Sequence, residues 1–183
     1  PTLDHIFGTD SQGRDVFTVW VLGLGQTLKV GFIAGTVGTV LGLVLGLAAG
    51  YFGGRIDGVI RTTTDVAITI PAIAILILVA ASVREMTVEM MALIVASFTW
   101  TQPTRTIRAQ VLTLRERSYI HLARLNGLEG AELVFKEILP NLLPFVATQF
   151  VWAFSVAVLA TIGLEALGLG PDNSHTLGMM VYW

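Results

Sequence analysis

The residue types that make and break bonds are few in this chain, and they do not gather. There is no cysteine among the 183 residues, which removes disulfides, thiolate metal sites and thiol nucleophiles. The histidines, His5, His121 and His175, stand far apart, so no shared metal is expected. Asp10, Gly13 and Asp15 have the spacing of part of a calcium loop, but the alternating oxygen ligands and the closing glutamate are missing. A turn followed by a helix cap is the expected structure there. No Gly-x-x-x-x-Gly-Lys-Ser/Thr occurs, and no Gly-Lys dipeptide, so the chain has no loop of its own to cradle nucleotide phosphates. A Gly-x-Ser-x-Gly elbow and a His-Glu-x-x-His pair are also missing. The sequence therefore predicts no catalytic residue, no metal and no cofactor bound by this chain, and no enzyme.

The polar residues that remain point to mechanical work. Arg105, Arg108, Arg115, Arg117, Arg124 and Lys136 fall in one segment. Within it, Ser118-Tyr119-Ile120-His121-Leu122-Ala123-Arg124-Leu125-Asn126-Gly127 predicts a helix of about two turns, with Ser118 as its N-cap and Gly127 as its C-terminal stop. Ile120, Leu122, Ala123 and Leu125 cannot all face one way on so short a helix. Some should pack on the rest of the chain while others face a partner. A second helix is expected over Ala131 to Leu139, ending at Pro140 and leading into an apolar stretch.

What positions this segment is a membrane. The chain is 54% hydrophobic and 13% charged with a mean hydropathy of +0.74, against roughly 25% charged for a soluble domain. Its apolar residues lie in blocks. Uncharged runs cover 30 to 54, 66 to 83, 90 to 104 and 138 to 164, and about 20 residues of helix cross a bilayer core. Four spans are predicted, at about 30–52, 66–83, 88–104 and 141–163. Eight of the eleven Lys and Arg residues fall in 53–65 and 103–140, so the positive-inside rule places 53–65 and the loop 105–140 in the cytoplasm. Residues 1–29 and 164–183 are then external. In 1–29, Val16, Phe17, Trp20, Val21 and Leu24 recur at helical spacing, which predicts an amphipathic helix on the outer face. Gly31, Gly35, Gly38, Gly42, Gly46 and Gly50 share one face of the first span, where bare backbone lets another helix approach. The start at Pro1 and the aromatic close at Tyr182-Trp183 lead us to expect both termini to be incomplete.

Several of these phrases together carry a resemblance. Gly127 followed thirteen residues later by Pro140, with Tyr119 and Ala123 before it and Ile138-Leu139-Pro140-Asn141 closing, resembles the coupling loop of permease subunits of prokaryotic ABC importers. Gly8-Thr9-Asp10-Ser11-Gln12-Gly13-Arg14-Asp15 is similar to the segment before the second span in the oligopeptide, dipeptide and nickel subgroup. Asp65 to Pro71, Arg105 to Tyr119 and Leu167-Gly168-Leu169-Gly170 fit the same subgroup, so the likeness covers nearly the whole chain. His121 and Leu122 stand where the family usually has an acidic residue and an alanine. The salt bridge of that acid does not carry over.

The resemblance implies an all-α, polytopic transmembrane permease domain with four spans present of six. Its coupling loop would include Tyr119, His121, Leu122, Ala123, Arg124, Gly127, Pro140 and Asn141. The implied partners are a second permease, two ATP-binding subunits that hold ATP and magnesium, an external solute-binding protein and the lipid bilayer of a prokaryotic cell membrane, with no nucleic acid. The implied solute is an oligopeptide or dipeptide, otherwise a nickel complex or an oligosaccharide. The rival reading is a secondary transporter or channel, which would bury functional charges in its spans. The four uncharged runs argue against it. Gly127 is expected to be the joint of the loop, and Gly130 a neutral position for substitution.

Overall fold

The computed structural model describes residues 5–10, 13–171 and 176–182. His175 lies outside the described residues. The described residues are mostly helical, with no strand among them beyond an isolated bridge between Thr9 and Asp15. The helices are α1 (Val16–Phe52), α2 (Gly54–Thr69), α3 (Ala72–Ser82), α4 (Val88–Thr99), α5 (Thr101–Leu114), α6 (Ser118–Leu125), α7 (Gly130–Leu133), a π-helical turn (Val134–Ile138), α8 (Leu139–Ala166) and α9 (Leu177–Tyr182).

Asp15 starts α1. Its Oδ2 accepts from the Thr18 backbone N–H at 2.9 Å and the Thr18 hydroxyl at 2.6 Å, which satisfies an N–H left over at the helix start. The helix then runs 37 residues, about 55 Å at 1.5 Å per residue. The expected surface helix around Val16 to Leu24 is thus not a separate element, because nothing between Leu24 and Val30 interrupts the helix. At the far end Gly53 and Gly54 take φ of 66° and 55°, and the Arg115 guanidinium donates to the Gly50 carbonyl at 3.2 Å.

The expected span 66–83 is broken. Pro71 disfavours helical backbone in the residue before it, and Ile70 accordingly has φ −79° and ψ 128°. Helix α2 therefore extends back to Gly54, and α3 starts anew. The expected span 88–104 divides at Trp100. Pro103, in the first turn of α5, has no N–H to offer the Thr99 carbonyl. Among the described residues two single helices are long and apolar enough to cross a membrane, α1 and the continuous run Gly130–Ala166, or three if the bent pair α2 and α3 counts as one span; Val88–Thr99 is apolar but shorter.

The chain divides into two compact units, one of residues 1–35, 71–97 and 154–183, the other of 36–70 and 98–153. In the first, a Cβ on Gly31 would lie 2.6 Å from Val158 and one on Gly35 3.0 Å from the Phe154 backbone, so α1 and α8 meet backbone to side chain. The Thr27 hydroxyl accepts from the Leu177 N–H at 3.0 Å, and the fully buried Glu165 accepts from the Gly178 N–H at 3.0 Å. Glu165 lies one residue beyond the uncharged run that ends at Leu164, yet α8 carries it, so this helix does hold a buried acid. Its visible work is to cap the start of α9.

In the second unit, Cβ atoms on Gly42, Gly46 and Gly50 would lie 2.5 to 2.9 Å from Pro103, Ile107 and Val111, and one on Gly38 would press on Thr99. Glycines four residues apart on α1 thus face α5 positions that also advance by four, which brings the two helix axes close. The core beside this seam is Ile107, Val111, Leu114, Ile120, Ala123, Leu133, Ile138 and Leu142.

Candidate functional site

Helix α6 stands on that core. Ile120 and Ala123 are buried, while Leu122 is 59% and Leu125 83% exposed. The four apolar residues therefore divide as an eight-residue helix requires, two inward and two outward. Phe135, on the π-helical turn, is 66% exposed, so three large apolar side chains of this loop face away from its core. His121 and Arg124 are exposed beside them. Tyr119 packs against the core, and its hydroxyl is buried without a hydrogen-bond partner among the described residues.

The ends of α6 follow from backbone chemistry. Arg117, in extended conformation, holds the N-cap position, and no side chain bonds the first N–H groups. Ser118 is already helical, so it is not the expected cap. At the other end the Gly127 N–H donates to the Arg124 carbonyl at 3.0 Å and the Leu128 N–H to the Ala123 carbonyl at 3.1 Å. With Gly127 at φ 87°, this is the two-bond Schellman stop, which needs a left-handed residue after the helix. Leu128 packs against the same core as Ala123, the apolar contact that goes with the motif.

Two expectations for the following stretch need correction. Gly130 has φ 57°, a left-handed conformation that costs any side chain roughly 1 to 2 kcal/mol, so it is no neutral position. The second helix begins at Gly130, and it does not end at Pro140. The π-helical turn over Val134–Ile138 widens the backbone just before Pro140, with the Leu139 N–H donating five residues back to Val134. This loosened turn lets the proline ring, which would clash with a carbonyl four residues back, sit within a helix that continues to Ala166. The exposed Asn141 uses its side-chain amide to donate to the Glu137 carbonyl at 2.7 Å.

One feature of this unit left no mark in the sequence pattern. Arg108 of α5 makes a two-pronged pair with Asp57 of α2, Nε to Oδ1 and Nη2 to Oδ2, the second at 2.6 Å. Both side chains are 21% exposed. The Arg108 hydrogen bonds hold the Asp57 carboxyl below its ordinary value, and the same bonds raise the guanidinium further. Fifty-one residues separate the partners, so no local spacing reveals them. Among the described residues no group of three or more His, Asp or Glu is placed to hold a metal ion.

Residues 42–182 match the family described as binding-protein-dependent transport system inner membrane component. The chain is 36% identical over 175 residues to a dipeptide transport system permease protein of Alkalihalophilus pseudofirmus, covering 93% of the chain and 56% of that protein. It is 30% identical over 181 residues to an oligopeptide transport system permease protein of Lactococcus lactis subsp. cremoris, covering 98% and 62%. A putative peptide transport system permease protein of Brucella suis is 30% identical, covering 96% and 58%. The chain thus spans about three-fifths of the length of these relatives. With long apolar helices and a family match over more than half its length, this chain belongs to the binding-protein-dependent transport system inner membrane components.

Proposed function

We propose that the chain is part of a permease subunit of an ATP-driven ABC importer that translocates peptides. The observation that carries this is the apolar face of the loop after α5, where Leu122, Leu125 and Phe135 point outward from a helix seated on its own core. Exposed leucines on a rigid two-turn helix suit insertion into a groove on another protein. The match to binding-protein-dependent transport system inner membrane components supports a nucleotide-driven protein as that partner. The partners are then two ATPase subunits holding ATP and magnesium, a second permease and an external solute-binding protein. The loop 105–140 faces the cytoplasm, and residues before α1 and after α8 face outside. Closure of the ATPases would move α6, and the Arg108–Asp57 pair would carry that motion from α5 to α2. The names of the relatives support peptides as the solute.

Affinity purification of the full-length protein from its own membranes tests the assignment. A second permease in equal amount and two ATPase subunits for each such pair should come with it. Recovery as a homo-oligomer that transports without ATP would favour a secondary transporter or channel.

A further inference from the structure

Beside the Arg108–Asp57 pair, α2 and α5 enclose a cavity of about 230 Å³ lined by Arg61, Thr64, Asp65, Thr104, Arg105 and Arg108. Its polar groups are not equally available. Arg108 is committed to Asp57. The Thr64 and Thr104 hydroxyls donate to the Ile60 and Trp100 carbonyls, at 2.7 and 2.8 Å, so toward the cavity these oxygens only accept. Arg61 reaches Asp65 at 3.6 Å, and both side chains are largely exposed, a pairing worth little. Arg105 makes no ion pair among the described residues. Two guanidinium groups, on different helices, are therefore left to face one small opening.

We propose that this cavity binds the phosphate group of an anionic membrane lipid. Arg61 and Arg105 would hold the phosphate oxygens through the forked donors that suit them. The cavity is smaller than the roughly 300 to 1,000 Å³ of pockets that enclose a drug-sized ligand, which argues against a transported peptide. On the same helix α2, Ile60 lines the cavity and the exposed Ile68 lies two turns along the same i, i+4, i+8 row as Thr64. A free phosphate would make no use of these isoleucines, whereas acyl chains can lie along them. Basic pockets at the cytoplasmic ends of membrane helices take lipid headgroups for these reasons.

Native mass spectrometry of the full-length permease, purified from membranes with whatever partners it retains, reads the bound lipids. The double variant Arg61→Gln/Arg105→Gln should lose bound phosphatidylglycerol on the order of tenfold or more, with phosphatidylethanolamine unchanged. Arg124→Gln, an exposed arginine on α6, should lose none. Millimolar inorganic phosphate should not displace the lipid. Equal retention by wild type and the double variant would overturn the proposal. So would an equal loss from Arg124→Gln, which would indicate bulk charge, or displacement by phosphate, which would indicate a free-anion site. These outcomes do not depend on whether an ATPase is present, so they are separable from the importer assignment.

Discussion

Gly127 and Gly130 show what a residue can reveal by type alone. Gly127 was legible because a glycine after a short amphipathic helix is the usual way to stop it, and it adopts φ 87°. Gly130 has the same conformational demand but follows Glu129 in a stretch with no periodicity to mark it. Gly127→Val should cost roughly 1 to 2 kcal/mol locally and misorient α6, with abundance nearly normal and ATPase association reduced. Gly130→Ala should loosen residues 128–138, seen as faster hydrogen exchange there; unchanged exchange would show that the joint tolerates a side chain. Asp57 and Arg108 were invisible in the sequence because nothing local relates residues 51 apart. Their pair should show a coupling of about 1 to 3 kcal/mol in a double-mutant cycle of Asp57→Asn and Arg108→Gln. Because Arg108 lowers the Asp57 value, this contribution is complete above about pH 4, the ordinary aspartate value, and is lost as pH falls through the depressed one. Asp57→Asn should remove that acid-side loss.

At the scale of elements, apolar runs revealed the helices and misjudged their ends. Uncharged length finds a span, but helix continuity depends on backbone donors, so Pro71 and Pro103 divided stretches that hydropathy joins. The reverse holds for α1, where Lys29 interrupts the uncharged run without interrupting the helix, its ammonium paired with Glu89 at 2.5 Å. The glycine stripe was readable as a bare face because its spacing repeats the helical period, although what it faces, α5 and α8, required the structure. Gly42→Leu should separate α1 from α5, since a Cβ alone would already lie 2.5 Å from Pro103. Val44→Leu, at a site 59% exposed, should be tolerated within about 0.5 kcal/mol. Thermal unfolding of the purified full-length variants would check this, and equal midpoints for the two would show that the stripe plays no part in packing.

For the whole molecule, the charge split of the loops predicts an orientation. Cysteine placed at Phe7 or Leu167, both exposed, should react with an impermeant thiol reagent on intact cells, and cysteine at Ser118 only after permeabilisation. The opposite pattern would reverse the topology. The central claim is that the α6 face transmits the energy of ATP hydrolysis, and Leu125 tests it most directly, being 83% exposed and thus dispensable to the chain's own core. In the complete transporter reconstituted in vesicles, Leu125→Asp should leave assembly of the permeases and basal abundance intact. It should weaken ATPase docking by about thirtyfold or more, the effect of removing a buried anchor residue from an interface, and abolish solute-stimulated ATP hydrolysis. Leu125→Met should behave as wild type. Normal stimulation in Leu125→Asp at normal abundance would contradict the account.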